Sequence, residues 1–368
     1  MNILLPAARL SLPTLFFGYA IAVNFSLLGK PMPDISPVET GLLSGGLSHA
    51  FDGIYKSSLP HVAPSFGLIG AARYALLNEA RQGAIVGTAG WIFTDEETRA
   101  IPSNAGLKVI TAKVRDIRDE LQLSGTDLVL VPLPAKIDVA RAFSPDQSYG
   151  VALASLYARF VTELADDGLA VVNARTVLAS GDAPGFFATD THWTPDGARR
   201  VAEAVATSGT IEHGSLTYRR EAGPERTLTG DLVTFVTTPG LAPLVGLPPE
   251  RIVPVVQTPL TTSADIFGDV ALDIVLVGTS YSANPDWGFA DALMQALGRD
   301  VVSVAELGRG PLAPMQDYLA SDDFAAAPPA VVIWEIPVRY LTDPTLWQGT
   351  DHLTPGVSAS LKGQNADG

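Results

Sequence analysis

No cysteine occurs in this chain, which excludes disulfides, thiol nucleophiles and cysteine-ligated zinc while leaving the redox compartment open. Positive charge is scarce: 24 lysines and arginines stand against 39 aspartates and glutamates, a formal net charge of −15. That balance argues against a nucleic-acid partner and against unassisted attraction to anionic lipid. A polyanionic substrate would need positive charge concentrated locally. Histidine is also rare, five in 368 residues, so each is worth placing. Charged residues are only 17% and hydrophobic ones 47%, enough for a large core and incompatible with global disorder. No internal repeat, low-complexity segment or clean interdomain linker is found.

The longest charge-free apolar stretch lies near the N-terminus. Between Arg9 and Lys30 run 20 uncharged residues, "LSLPTLFFGYAIAVNFSLLG". As a helix they would measure about 30 Å, the thickness of a bilayer core. Arg9 precedes the run, and Asp34 and Glu39 follow it. The positive-inside rule therefore places the body outside the cytoplasm, anchored to the membrane if the run is not cleaved. A signal peptide cut near Ala20-Ile21-Ala22 and a buried core helix are the competing readings. The expected organisation is an anchor or signal over residues 1–30, a spacer over 31–47, one catalytic-sized domain over 48–345 and a flexible tail over 346–368.

The body alternates apolar β-branched runs with helical patterns. Strands are predicted at Ala84–Gly87, Asp127–Pro132, Leu169–Asn173, Asp273–Gly278, Val301–Val304 and Ala330–Ile336. Helices are predicted at Leu68–Glu79, Leu107–Leu123, Tyr149–Ala165, Pro195–Thr207 and Phe289–Leu297. Runs such as "LVLVP" and "AVVIWEI" are apolar on both faces, as in a parallel sheet covered by helices on both sides. The fold class is thus α/β, a doubly wound parallel sheet, with an irregular insertion of short strands between Ser208 and Thr262.

Two segments carry chemistry. In "ATDTHWTPDGARR", Thr194, Pro195 and Asp196 are a strong helix start. Asp190 and His192 enter that helix two residues apart, so in an extended segment both face one side. The carboxylate can then fix the imidazole tautomer and leave the second nitrogen as a base. On this motif alone a structural histidine is the leading reading, ahead of catalysis, and a metal ligand comes last, because no second histidine or acidic cluster stands at ligand spacing nearby. In "DIVLVGTSYSANPDWGF", an apolar strand runs through Gly278 to Ser280 and then a helix, the place where open α/β sheets build sites. Ser280 is either a nucleophile or an ordinary helix cap. It does not sit in a G-x-S-x-G elbow, because Ser282 replaces the last glycine. Asp351 and His352 are adjacent, face opposite ways and lie near the C-terminus, so they read as a decoy; His49, His61 and His213 have no motif context.

Taken together, "TDTHW" and "LVGTSYS" resemble the alginate O-acetyltransferase family (AlgJ/AlgX type), an SGNH-hydrolase-like group. Further likeness lies in "VGTAGWIFTDEE" (Val86–Glu97), "VPLPAKIDV" (Val131–Val139), "DIFGD" before the serine strand and "VVIWEIPVRYL" towards the end. The resemblance spans roughly residues 50 to 341. Val338 departs from it, where a glutamate is expected, and 27 residues after Leu341 leave no room for the carbohydrate-binding module of the AlgX type. The chain therefore looks closer to the AlgJ branch. The resemblance implies an SGNH-like sheet with permuted motif order, Ser280 as nucleophile, His192 as general base and Asp190 as its orienter. It also implies an exopolysaccharide acceptor, acetyl groups delivered by a membrane-bound acyltransferase, and no metal or cofactor. Tyr281, Arg339 and Tyr340 are candidate substrate or oxyanion contacts, and Arg339 and Tyr340 could equally be structural. An acetylesterase with the same three residues and a non-catalytic assembly module remain as alternatives.

Overall fold

The computed structural model describes residues 4–28, 62–181, 183–260 and 273–348, with isolated positions at 55 and 59. The spacer, the "DIFGD" lead, His49, His61, Asp351 and His352 lie outside the described residues. Helix α1 (Leu4–Leu28) covers the N-terminal apolar run. Among the described residues, no helix is long and apolar enough to cross a membrane, and the side chains of 4–12 and 26–28 lie outside that set. Helix α2 (Val62–Leu77) follows.

Strands β1 (Ala84–Val86) and β2 (Ile92–Thr94) then form an antiparallel hairpin. This corrects the expectation that residues 84–87 belong to the parallel sheet. The chain reverses immediately after β1, with Ala89 and Gly90 in left-handed conformation (φ 53° and 81°), so β1 pairs with its neighbour in sequence.

The central sheet is built by β3 (Asp127–Leu133) and β4 (Ala170–Val171). After the insertion strands β5 (Tyr218–Ala222), β6 (Arg226–Leu228), β7 (Glu250–Ile252) and β8 (Val255–Pro259), it is completed by β9 (Ile274–Val277), β10 (Val302–Ser303) and β11 (Val331–Pro337). Its order is β10-β9-β11-β3-β4 and every adjacent pair is parallel. From β3 the chain steps one way to β4, and from β9 the other way to β10; the division between these two directions is where such sheets place ligands. All seven residues of β11 and all but the first of β3 are buried, which explains why both read as apolar runs, interrupted in β11 only by Glu335.

Helices α3 (Asn104–Leu123) and α4 (Gln147–Asp166) bury Leu107, Ile110, Val114, Ile117 and Leu121, and Leu153, Leu156, Phe160 and Leu164, at the spacing of single helix faces. Helices α5 (Pro195–Thr207) and α6 (Phe289–Leu297) pack on each other and match their predicted limits. At the start of α5, Thr194 Oγ1 accepts from the Gly197 N–H at 3.0 Å, as the sequence predicts. The helix Leu312–Leu319 has no counterpart among the predicted elements; Pro311 and Pro314 both sit where a first helical turn needs no N–H donor. The folded body also passes the expected boundary at 345. Trp347 is 6% exposed, and its indole N–H donates to the Tyr340 carbonyl at 3.0 Å.

Candidate active site

Strand register decides the serine side of the site. Strand β9 ends at Val277 opposite Trp334, whereas β11 continues to Pro337, so Glu335 lies beside the turn that leaves β9. Glu335 is fully buried and accepts from the Thr279 N–H (2.8 Å), the Thr279 hydroxyl (3.0 Å) and the Ser282 hydroxyl (3.0 Å). The Thr279 hydroxyl in turn accepts from the Tyr281 N–H at 3.4 Å. Ser280 is thereby held as the first residue of a single helical turn, Ser280–Ala283. Gly278 is required by close approach: a Cβ there would stand 2.7 Å from Glu335 Oε2 and 2.9 Å from Ser282 Oγ. Gly278→Ala is expected to displace Ser280 and lower kcat about ten- to a hundredfold with KM little changed, measured as turnover of an activated acetyl ester. Wild-type kcat in this variant would remove the argument.

The histidine segment is built across the sheet edge. Phe186 and Trp193 pair as an isolated antiparallel bridge, and the Phe187 N–H donates to the His192 carbonyl at 3.2 Å. Within this loop, Asp190 Oδ1 accepts from both the His192 N–H (2.9 Å) and His192 Nδ1 (2.7 Å). His192 Nε2 stands 2.8 Å from Ser280 Oγ, 88 residues away in sequence. The imidazole stacks on Trp287, with ring centroids 5.4 Å apart, and meets the edge of Tyr281 at 4.9 Å. Asp190, His192 and Ser280, singled out from sequence, are therefore brought together.

The supports were harder to see. The Asp231 N–H donates to Asp190 Oδ2 (2.9 Å), and Asp231 Oδ1 accepts from the Thr191 N–H (2.8 Å). Gly230 permits this approach, since a Cβ would lie 2.2 Å from the Thr189 carbonyl oxygen. Glu250 accepts from the Thr189 N–H and hydroxyl (2.7 and 2.6 Å) and from the Ala188 N–H (3.0 Å). Lys136, 1% exposed, donates to the carbonyls of Ile92 (2.5 Å), Ala188 (2.9 Å) and Asp190 (2.8 Å). Glu97 accepts from the backbone N–H groups of Lys136 and Ile137 at 2.7 and 3.2 Å. Lys136 and Glu335 carried a readable signal, single charges inside apolar runs, which are buried only when partnered. Asp231 and Glu250 sit in the irregular insertion, where no pattern marks them.

Tyr281 and Arg339 are not the substrate contacts expected from the sequence. Tyr281 is 2% exposed and its hydroxyl donates to the Thr191 carbonyl at 2.8 Å. Arg339, 5% exposed, donates to the Tyr281 hydroxyl (2.5 Å), to Glu96 Oε2 (3.0 Å) and to the Tyr340 hydroxyl (2.9 Å). Tyr281 and Arg339 are thus braces behind the histidine loop and not surfaces a substrate can touch. Tyr340 is half-buried and engaged with Arg339.

Burial alone would raise the Asp190 carboxyl, but hydrogen bonds and charge from His192, with the backbone N–H groups of Asp231 and His192, hold it below the usual carboxylate value. Asp231 shifts the opposite way, raised by burial and by the neighbouring Asp190 charge. Donor atoms of Asp190, His192 and Asp231 lie within 4.8 Å of one another. This set does not fit a metal, because His192 Nδ1 faces Asp190, Nε2 faces Ser280 and both aspartates accept backbone N–H groups.

Burial lifts Glu335 from 4.5 to about 7. Because this folded value lies above the unfolded one, its contribution to stability is fully present below pH 4.5 and lost as pH rises through about 7. Glu335→Gln cannot ionise and is expected to abolish that loss, up to about 3 kcal/mol, in urea unfolding compared across the same range. Parallel pH profiles for the two proteins would contradict this.

A parallel α/β sheet with the serine just after β9 and the histidine brought to it from the loop before α5 defines an SGNH-hydrolase-like protein. A family model described as SGNH hydrolase-like domain, acetyltransferase AlgX, matches residues 84–338, and the chain belongs to this family. It is 36% identical over 316 residues to the probable alginate O-acetylase AlgJ of Azotobacter vinelandii, covering 82% of this chain and 81% of that protein. The corresponding AlgJ of Pseudomonas aeruginosa is 34% identical over 352 residues, 88% and 89% of the two chains. The solved O-acetyltransferase domain of Pseudomonas putida AlgJ superposes with a TM-score of 0.62 at 33% identity, covering 72% of this chain and 93% of that one.

Proposed function

We propose that the protein is an O-acetyltransferase that moves acetyl groups through Ser280 onto hydroxyls of an exported polysaccharide, alginate or a related exopolysaccharide. The observation that carries this reading is His192 bridging Asp190 and Ser280 at 2.7 and 2.8 Å, in a family whose named relatives are alginate O-acetylases. His192 Nε2 takes the Ser280 proton as Oγ attacks the acetyl carbonyl carbon, and Asp190 stabilises the resulting imidazolium. The imidazolium returns the proton to the departing group, leaving acetyl-serine. A sugar hydroxyl then gives its proton to Nε2 and attacks the acetyl carbonyl, and Ser280 leaves with the proton restored. Water in place of the sugar would yield free acetate, so placement of the acceptor and exclusion of water separate transferase from esterase.

Mass spectrometry of the protein after exposure to an activated acetyl ester tests this, with and without unacetylated alginate oligomers. Acetyl on Ser280 and then on sugar is expected. No acetyl on Ser280, or acetate release with no acetylated sugar over a broad acceptor panel, would overturn the transferase reading.

The same reading places the body in the periplasm, held at the inner membrane by α1, and fed with acetyl groups by a membrane-bound acyltransferase. Arg9 before the apolar run and the exposed side chains of Leu15, Phe16, Phe17, Ile21 and Phe25 support the anchor. Full-length protein should sediment with membranes and protein lacking residues 1–30 should not; full-length protein in the soluble fraction argues against anchoring.

A further inference from the structure

Beside the histidine loop lies a groove of about 780 Å³ that the proposed chemistry does not use. One wall is the catalytic segment itself, Pro184 to Ala188 and Thr194 to Asp196; the other is the insertion, including Arg220, Ala222 and Glu250. Glu250 ties the two walls together through its bonds to Ala188 and Thr189, immediately before Asp190. The floor is apolar and includes Trp91 and Phe187. Packing links this floor to the histidine: Phe187 packs on Trp287 at 5.3 Å, and Trp287 stacks on His192. A smaller cavity of about 240 Å³ shares Trp91, Pro184 and Phe186 and prolongs the concavity.

Charge selects the occupant. The acids in the groove are engaged, Asp196 with Arg199 and Arg200 (2.6 and 3.1 Å) and Glu250 with backbone. Arg220 is exposed, and among the described residues no carboxylate lies within ion-pair reach of it. Among the described residues Arg251 has only an open surface pair with Glu225 at 3.3 Å, with 79% and 55% of the side chains exposed, a contact that a ligand carboxylate can replace at little cost. The uncommitted charge at the mouth is therefore positive on a chain whose net charge is −15.

We propose that this groove is a distal acceptor subsite, in which a segment of an anionic polysaccharide lies with its carboxylates at Arg220 and Arg251 while a neighbouring sugar reaches Ser280. The proposal rests on the acetyl-transfer reading for its substrate and on the groove for its location. Arg220 and Ala222 are two apart on β5 and share its groove face, which supplies two independent substitutions.

Calorimetric titration of the full chain with short and long unacetylated alginate oligomers, and with a neutral glucan oligomer, tests it. The long alginate oligomer should bind best and weaken with added salt. Arg220→Glu should weaken it about tenfold or more, Arg220→Lys much less, and Ala222→Trp should weaken it by filling the groove without changing charge. Wild-type affinity in both Arg220→Glu and Ala222→Trp, or equal binding of the neutral glucan, overturns the proposal. Ser280 acetylation by a small ester, followed on wild-type protein, separates the two ideas. Acetyl-serine with no groove effect removes the subsite alone; groove-dependent binding with no acetyl-serine removes the acetyl-transfer reading and leaves an anionic-glycan site.

Discussion

Ser280→Ala should abolish the covalent route, and Asp190→Asn should lower acetyl transfer by a factor of about 10³–10⁴. The asparagine case is the more informative because its side chain is nearly isosteric. Asp190 accepts three hydrogen bonds: two on Oδ1, from the His192 ring and backbone, and one on Oδ2, from the Asp231 backbone. Asparagine offers one oxygen and one NH₂ group. If its oxygen faces His192, the NH₂ opposes the Asp231 N–H; if the NH₂ faces His192, it selects the tautomer with Nδ1 unprotonated. Nε2 then carries the proton and cannot accept another from Ser280. The rate of Ser280 acetylation by an activated ester, followed by stopped acylation and mass analysis, checks the effect. A loss of less than about tenfold would mean that Asp190 only orders the loop.

Lys136→Met should be the most damaging substitution away from the reacting atoms. Methionine fills similar space, but the carbonyls of Ile92, Ala188 and Asp190 lose their common donor in a site from which water is excluded. A cost of about 3–5 kcal/mol in urea unfolding is expected, the usual scale for removing one member of a buried charged network. Asp190 and His192 should also lose register with Ser280, lowering kcat by about ten- to a hundredfold. Burial lowers the Lys136 ammonium from 10.5 to about 8, so it is protonated at neutral pH. As pH rises through about 8, a neutral amine is left to serve three carbonyls, and wild-type activity should fall. Global stability should not fall with it. The unfolded chain keeps its proton up to about 10.5, so it binds more protons across that interval and linkage favours the folded state as pH rises. An alkaline loss of activity without unfolding, absent in Lys136→Met, is the signature. Wild-type unfolding midpoint and kcat in the variant would refute the role.

Legibility in the sequence followed local physics. Apolar runs marked β3, β9 and β11, because strands covered on both faces admit a charge such as Glu335 only where it is partnered. The Thr194-Pro195-Asp196 start and the apolar face of α5 were likewise written in adjacent residues. Edge strands were not sharply bounded: β4 and β10 are two residues each, held by only one neighbour. The hairpin role of β1 depended on a reversal after it, which strand propensity does not encode.

The sequence determined the chemical inventory: no thiol, few histidines, Asp190 and His192 two apart before a helix, and Ser280 at the end of an apolar strand. Those are properties of neighbours along the chain, where spacing fixes direction. It could not determine that His192 Nε2 meets Ser280 Oγ, a contact across 88 residues set by the order and register of β9, β11 and β3. Nor could it separate braces from substrate contacts. Arg339 and Lys136 have the same charge as Arg220, and only packing buries the first two against tyrosine and carbonyl partners while leaving Arg220 on an open groove. Burial is a sum over distant segments, and it is burial that decides what a charged side chain can do.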